Sequence, residues 1–306
     1  MNKPNIVLCG AAGQLGQTLQ ALWPASVLCQ HFNLVALSRE DLDICNKGDV
    51  RAKLSSLNCK LLINAAAYTA VDQAEEEQDN AFAINDTGVE NLATWAAENH
   101  AWLIHISTDF VFDGNGSSPY LPDSETKPIG AYGRSKLAGE QQIQRLLPDS
   151  GVIIRTSWLY SEYGNNFVKT MLRLMKERPE LKVVNDQIGS PSSTHSLAEL
   201  IFAMICKAHD CGEQVSGIYH WSDGGNISWF DFALAIQKQA LQQGLLSTQI
   251  PVQPITSNEY PTPAKRPAYS VLDRSLTLST IDCSNLNWEQ QLQIVINKIA
   301  AFDSSS

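Results

Sequence analysis

Short apolar segments alternate along the first half of the chain with longer segments in which apolar residues recur every three or four positions. The short segments are rich in β-branched residues and predict buried strands at 6–9, 34–37, 61–64, 103–107 and 152–156. Between them, the helical period predicts amphipathic helices at 81–99 and 132–147. This alternation predicts an α/β fold in which a doubly wound parallel sheet is covered by helices on both faces.

The composition changes after about residue 160, where Gly, Asn, Ser and Pro become frequent. Helical patterns continue at 167–178, 196–209 and 229–243, and five prolines fall within 251–267. We therefore predict a first domain at 1–160 whose sheet is completed by parts of 180–222, a smaller mixed α/β lobe at 161–290 interleaved with it, and a C-terminal helix at 288–302.

Three glycines, Gly10, Gly13 and Gly16, follow the first predicted strand and open the next helix. In that context glycines allow a tight turn and let backbone N–H groups approach a pyrophosphate at the helix N-terminus. The spacing therefore predicts that 1–160 is a Rossmann-like NAD(P)-binding domain. The alternative is a close crossing of helix and sheet that binds no ligand.

The second predicted strand leads into Ser38 and Arg39, where NAD-preferring sites usually carry an acidic residue that binds the ribose. A hydroxyl and a guanidinium suit a 2′-phosphate better, which favours NADPH. The alternative is that Arg39 is a solvated loop cation and that NADH also serves. Two further segments are expected along the cofactor, an adenine-side loop with Asp43 and Ile44 and the run of Ala67, Tyr68 and Thr69 after the third strand.

Tyr132 and Lys136 lie four residues apart in a predicted helix and so share one helix face. An ammonium near the phenol would lower a pKa that is ordinarily about 10, and such a phenol can give a proton to a developing alkoxide. Thr108 ends the fourth strand and would supply a second donor, with Ser107 as its rival because neighbouring strand residues face opposite sides. The three residues predict reduction of a ketone by hydride. A Tyr-x-x-x-Lys pair by itself is commonly a helix surface with an extended lysine.

The formal net charge of −10 argues against nucleic acid or an anionic membrane as a partner, because both favour a basic face. The first apolar run is short and lacks a basic flank, and no segment has the roughly 20 apolar residues of a membrane span, so we expect a cytoplasmic protein. Seven cysteines without C-x-x-C spacing indicate unpaired thiols, and six histidines show no metal-ligand spacing.

Together these residues resemble the extended short-chain dehydrogenase/reductase superfamily and, within it, the dTDP-4-dehydrorhamnose reductase family. The resemblance covers nearly the whole chain and rests on blocks at 13–16, 42–44, 63–72, 107–112, 132–136, 155–160, 164–167, 185–191 and 260–270. It implies NAD(P)H-dependent reduction of the C4 ketone of dTDP-4-dehydro-β-L-rhamnose, a dTDP-4-keto-6-deoxy sugar. Such a step belongs to nucleotide-sugar synthesis for cell-surface polysaccharides.

The resemblance also assigns roles to particular positions. Tyr132 is implied as the proton donor, and cofactor contacts are implied at Gly13, Gln14, Leu15, Asp43, Ile44, Ala67, Tyr68 and Thr69. Lys136 is expected to bind the nicotinamide ribose as well as to act on the phenol. Substrate contacts are implied at Thr108 and Asp109, with Trp158 as a wall of the sugar pocket, and we add Arg266 as a contact to the nucleotide diphosphate.

Some members of the family form dimers bridged by magnesium, with glutamates where this chain has Thr18 and His195. The sequence therefore gives Mg²⁺ weak support and predicts no metal ligand, while a homodimer stays open. Two other functions also stay open: a regulatory binding subunit similar to the methionine adenosyltransferase beta subunit, and a reductase or epimerase of another dTDP-6-deoxy-4-ketohexose. The intact set of Thr108, Tyr132 and Lys136 favours catalysis.

Overall fold

The computed structural model describes residues 3–211 and 215–303. The described residues contain twelve strands: β1 Asn5–Cys9, β2 Asn33–Leu37, β3 Cys59–Asn64, β4 Trp102–Thr108, β5 Gly151–Thr156, β6 Leu159–Tyr160, β7 Leu181–Val184, β8 Ile188–Gly189, β9 Ser192–Ser193, β10 Gly217–Trp221, β11 Ile227–Ser228 and β12 Val252–Ile255. The α-helices described are α1 Gln14–Leu22, α2 Lys47–Ser55, α3 Gln78–Phe82, α4 Gly88–Glu98, α5 Ala131–Leu146, α6 Phe167–Glu177, α7 Thr194–Cys211, α8 Trp229–Gln242, α9 Ser275–Thr280 and α10 Trp288–Asp303.

A six-stranded sheet in the order β10-β5-β4-β3-β1-β2 forms the centre, and every neighbouring pair is parallel. The chain runs from β1 outward to β2 and then returns to β3 on the other side of β1. In a sheet of this kind ligands bind beyond the carboxyl ends of the strands, near the point where the order reverses. The five strands expected from the apolar segments all lie in this sheet, which confirms the predicted fold class.

Successive residues of β1 face opposite sides of the sheet and enter two different cores. Ile6 and Leu8 pack with apolar residues of α1 and α7, whereas Val7 and Cys9 pack with residues of α2, α4 and α5. All four side chains are at most 2% exposed. Burial on both faces explains why the strands read as continuous apolar segments and not as alternating ones.

A third core lies outside the large sheet. Apolar residues of α6, α8 and α10 pack there with the parallel pair β7 and β12. Helix α8 begins with a capping box, in which the Ser228 side chain bonds the Asp231 backbone and the Asp231 carboxylate accepts from the Ser228 backbone. Of these elements, α6, β7, α8 and β12 lie within the predicted smaller lobe at 161–290, whose bounds stay a prediction, and α10 corresponds to the predicted C-terminal helix. No helix within 3–211 or 215–303 has the length and apolar character needed to cross a membrane.

Candidate active site

In the glycine turn between β1 and α1, the backbone at Gly10 lies directly against the backbone of the segment after β3. Gly10 has a φ of +83°, and a Cβ atom there would lie 2.5 Å from the Ala66 nitrogen, so no other residue fits. A Cβ at Gly16 would collide with the Gly10 carbonyl oxygen. Gly13 is the N-cap of α1, and no side chain caps this helix end. The first N–H groups of α1 are therefore available to a phosphate.

Gln14 and Leu15, the next two residues, act in different ways. Leu15 is 4% exposed and packs in the core between sheet and helices, so only its backbone faces the turn. The Gln14 Oε1 atom accepts hydrogen bonds from Ser161 Oγ at 3.0 Å and from Asn166 Nδ2 at 2.9 Å. The side chain of Gln14 thus connects the glycine turn to the loop before α6, a contact that no sequence motif predicted.

The loop after β2 carries the residues expected around the adenosine end of a cofactor. The Ser38 hydroxyl and backbone N–H both donate to Asp41 Oδ2, at 2.7 and 2.9 Å, so this hydroxyl already has a partner. Arg39 is exposed and lines a shallow cavity of about 440 Å³ together with Asp43. Ile44 is 5% exposed and packs in the core beside the sheet.

The segment after β3 is held by an asparagine that the sequence did not single out. Asn85 Oδ1 accepts from the Tyr68 backbone N–H at 2.9 Å, and Asn85 Nδ2 donates to the Tyr68 carbonyl at 3.0 Å. Asn85 lies in a π-helical segment, Ala83–Thr87, that joins α3 to α4 within the single helix expected at 81–99. Such segments often occur at functional sites. Ala67 is half-buried and Thr69 is exposed beside this anchored backbone.

Thr108 and Ser107 at the end of β4 face opposite sides, as strand alternation requires. The Ser107 hydroxyl donates to Glu140 Oε1 at 2.5 Å and so points into the protein. The Thr108 hydroxyl donates to Asp109 Oδ1 at 3.1 Å and accepts from the backbone N–H of Phe110, whose ring contacts that of Tyr132. The structure therefore brings Thr108, and not Ser107, to Tyr132.

The Tyr132 phenol does not have the lowered pKa that its spacing from Lys136 led us to expect. Burial raises the pKa of Tyr132 to about 12, with hydrogen bonding to Thr108 lowering it and the charge of Asp109 raising it. The Lys136 Nζ atom instead donates to the Ile106 carbonyl at 2.7 Å. Burial also lowers the pKa of Lys136 to about 8, although Glu140 raises it. Sequence spacing showed that the two side chains share a helix face, but it could not show how strongly each is desolvated.

Asp109 and Trp158 lie at the same edge of the sheet as Thr108. Burial raises the pKa of Asp109 to about 6, and hydrogen bonds with Ser270 and Thr108 partly offset that effect. Trp158 follows β5 by two residues, and β5 ends at Thr156, the register partner of Thr108. The Trp158 backbone has a φ of +49°, an uncommon value for a bulky residue that often marks a functional constraint.

Trp158 links this edge to a large cavity in the smaller lobe. Its ring stacks on that of Trp229 with centroids 3.5 Å apart, and Trp229 lines a cavity of about 690 Å³. Arg266 lines the same cavity. Arg266 Nη2 donates to Asp72 Oδ2 at 2.7 Å, whereas the buried Nη1 atom has no hydrogen-bond partner among the described residues. A buried unpaired guanidinium nitrogen favours an anionic ligand, because leaving such a donor unsatisfied is costly.

Thr18 and His195 stand at the positions where metal-bridged dimers of the family have glutamates. Here both side chains contact residues of the same chain. Thr18 is fully buried, with its hydroxyl 2.7 Å from that of Thr194. His195 is 5% exposed, with Nε2 2.9 Å from a Glu162 carboxylate oxygen. In the part of the chain that the structure covers, no group of three or more His, Cys, Asp or Glu side chains is arranged to hold a metal ion.

Known proteins share this architecture over almost the entire chain. The dTDP-4-dehydrorhamnose reductase of Aggregatibacter actinomycetemcomitans is 42% identical over 289 residues, which cover 94% of this chain and 97% of that protein. The crystal structure of a dTDP-4-dehydrorhamnose reductase from Clostridium acetobutylicum is 40% identical with a TM-score of 0.87, covering 96% of this chain and 99% of that one. The enzyme of the same name from Bacillus anthracis, solved in complex with NADP, is 36% identical with a TM-score of 0.86, covering 97% and 100%.

Fold, glycine turn and these similarities place the chain among the extended short-chain dehydrogenase/reductase oxidoreductases, as the sequence motifs indicated. The class can be narrowed further. The sequence profile described as RmlD substrate binding domain matches residues 4–301, and the chain belongs to this family.

Proposed function

We propose that this protein reduces the C4 ketone of dTDP-4-dehydro-β-L-rhamnose with NADPH, giving dTDP-L-rhamnose. The observation that carries the proposal is the placement of Thr108 at the end of β4 and of Tyr132 in the first turn of α5, with Lys136 one turn further along that helix. The uncapped N-terminus of α1 opens at the same edge as the end of β4, because β1 and β4 are parallel strands of one sheet. The relatives named as dTDP-4-dehydrorhamnose reductases support the assignment of the substrate.

The glycine turn fits a dinucleotide, since Gly10 and Gly13 leave no side chain between a pyrophosphate and the backbone. We assign Gly10, Gly13, Gln14, Leu15 and Gly16 to the phosphates. We assign Ser38, Arg39, Asp43 and Ile44 to the adenosine end, Ala67, Tyr68 and Thr69 to the middle, and Lys136 to the nicotinamide ribose. Bound NADPH supplies the hydride.

Tyr132 supplies the proton in this mechanism. Negative charge develops on the ketone oxygen during reduction, and the Tyr132 phenol donates its proton to that oxygen. A phenol with a pKa of about 12 is a weak acid. It still gives its proton to an alkoxide, because an alkoxide is a much stronger base. Asp109 and Trp158 then bound the sugar, and Arg266 binds the diphosphate.

The simplest test mixes the purified protein with NADPH and the keto-sugar nucleotide and follows the loss of NADPH absorbance. Turnover with formation of dTDP-L-rhamnose is expected. NADPH binding without turnover would favour a regulatory role like that of the methionine adenosyltransferase beta subunit. Release of tightly held oxidised cofactor on denaturing the purified protein would favour an epimerase.

Replacing Arg266 with alanine is expected to raise the KM for the nucleotide sugar about 10- to 100-fold, the worth of a hydrogen bond to a charged group. Turnover at saturation should change much less, because the diphosphate is remote from the ketone. Steady-state kinetics measure both quantities. Lys265→Ala removes a neighbouring exposed cation and is the matched control. A KM unchanged in Arg266→Ala would remove this residue from the substrate site.

Replacing Arg39 with alanine is expected to weaken NADPH binding roughly 10-fold while leaving NADH binding unchanged, because only NADPH carries the 2′-phosphate. Fluorescence titration of both cofactors measures the two dissociation constants. Lys60→Ala is the control, since this exposed lysine lies near the amino end of β3, at the opposite edge of the sheet. Equal losses for NADPH and NADH would contradict a role in binding the phosphate.

A further inference from the structure

A row of three buried polar side chains leads from β3 through β4 to Lys136 of the proposed active site. Asn64 ends β3, His105 lies in the middle of β4, and Lys136 lies on α5; they are 0%, 0% and 1% exposed. Asn64 Nδ2 is 3.0 Å from His105 Nδ1, and His105 Nε2 is 3.2 Å from Lys136 Nζ. The first contact joins β3 to β4 and the second joins β4 to α5, so the three side chains come together only in the folded chain.

The hydrogen bonds of Asn64 determine which nitrogen of His105 carries a proton. Asn64 Oδ1 accepts from the Ala66 backbone N–H at 3.1 Å, so the amide nitrogen of Asn64 must face His105. That nitrogen is a donor, and His105 Nδ1 is therefore the acceptor. Burial holds the pKa of His105 well below its usual range, with the Lys136 charge adding to that effect, so the ring is neutral. A neutral ring that accepts at Nδ1 carries its proton on Nε2.

His105 thus presents an N–H to the Lys136 nitrogen. A neutral amine can accept this hydrogen bond, whereas an ammonium has no lone pair and would face another donor. The arrangement therefore favours the neutral amine over the ammonium. The ammonium keeps one acceptor in the Ile106 carbonyl.

Other charged groups around Lys136 act in both directions. On its own helix, Tyr132 precedes it by one turn and Glu140 follows by one turn, and Glu140 raises the pKa of the lysine. The Glu140 carboxylate is paired with the Arg155 guanidinium of β5 at 2.7 Å, which reduces its effect. The Asp109 carboxyl faces the Tyr132 phenol. His105 is the titratable side chain of β4 that contacts the amine directly.

We propose that Asn64 and His105 are positioning residues that hold an N–H against the Lys136 amine and thereby set the pH at which this lysine loses its charge. The proposal depends on the proposed function only in the role given to Lys136, whose ammonium binds the nicotinamide ribose. Reduction then requires the ammonium, and kcat/KM falls as the pH rises through the Lys136 pKa.

The decisive variant is Asn64→Asp, which is nearly isosteric. An ionised carboxylate accepts from His105 Nδ1–H, so the proton leaves Nε2, and Nε2 becomes an acceptor for the ammonium. The alkaline limb of the kcat/KM profile is expected to move upward by roughly 1 to 2 pH units, the usual size of such an effect. His105→Asn removes the N–H from Lys136 while its amide oxygen can still accept from Asn64, and we expect a smaller upward shift. His105→Gln can keep both bonds and should leave the limb in place.

Two measurements do not depend on turnover. Nitrogen-15 NMR of protein labelled at histidine identifies which nitrogen of His105 carries the proton. The His105 signal is assigned by its absence in His105→Gln. Labelling at lysine measures the titration of Lys136 without substrate. His220→Gln, a buried histidine of β10 outside the row, is the control and should move neither titration. A wild-type proton on Nδ1 would overturn the proposal. The proposal would also be overturned if the titration of Lys136 were unchanged in His105→Asn. The same holds for Asn64→Asp if NMR shows that the His105 proton has moved to Nδ1 in that variant and the titration of Lys136 is still unchanged. Absence of reductase activity with the expected NMR result would refute the proposed function alone.

Discussion

Tyr132→Phe is expected to lower turnover about 100- to 10,000-fold, the usual contribution of a general acid, which corresponds to roughly 3 to 5 kcal/mol of transition-state stabilisation. The variant loses the phenol proton and keeps the ring, which contacts Phe110 edge-on with centroids 5.6 Å apart. Affinity for NADPH should therefore change little. Stopped-flow and steady-state kinetics give turnover, and fluorescence titration gives the dissociation constant of NADPH.

Two further variants sharpen this test. Tyr219→Phe makes the same chemical change at a buried tyrosine of β10 and should leave turnover close to that of the wild type. Thr108→Val removes the hydroxyl at the end of β4 and is expected to give a smaller loss of turnover than Tyr132→Phe. Near-normal turnover in Tyr132→Phe would remove this residue from the mechanism. Equal losses in Tyr132→Phe and Tyr219→Phe would point to a general effect on folding.

The central sheet could be predicted because its strands are buried on both faces, and that burial leaves continuous apolar segments in the sequence. Helix α2 left no comparable signal. Only Val50 and Leu54 of this helix are buried, and its start is fixed by Asn46, whose side chain accepts from the Gly48 and Asp49 backbones. The two-residue strands of the smaller lobe are defined by long-range pairing, as between Ile188 and Ser228, which no local pattern encodes.

The residues of the candidate site also differ in whether a local sequence pattern could predict them. Thr108, Tyr132 and the glycine turn could be found because spacing within one element carries their signal. Asn64 and His105 could not be assigned, although a histidine inside the apolar strand β4 was a visible irregularity. Their contacts depend on the register between β3 and β4 and on the position of α5. The direction of the Tyr132 pKa was missed for a related reason, since desolvation depends on everything packed around a side chain.

Glu140→Gln is expected to cost about 3 to 5 kcal/mol of unfolding free energy, because it leaves the Arg155 guanidinium as an uncompensated buried charge. The side chains of Glu140 and Arg155 are 0% and 3% exposed. The carboxylate accepts from Arg155 Nη2 at 2.7 Å and Nε at 3.0 Å, and also from Ser107 Oγ at 2.5 Å. His220, 3.5 Å from Arg155 Nη1, cannot supply the missing negative charge, because an imidazole is either neutral or cationic; burial and the Arg155 charge lower its pKa to about 3, so it is neutral.

Urea unfolding measures this cost, with the midpoint falling and the slope unchanged if the folded state stays compact. Glu177→Gln is the matched control: its partner Arg173 lies at 2.8 Å, but both side chains are more than half exposed, at 52% and 60%. Such a surface pair contributes less than about 1 kcal/mol. The double variant Glu140→Leu with Arg155→Met should recover much of the stability, because buried ion pairs can often be replaced by apolar side chains of similar volume. Similar losses of unfolding free energy in Glu140→Gln and Glu177→Gln would show that burial of the Glu140–Arg155 pair does not determine its contribution to stability.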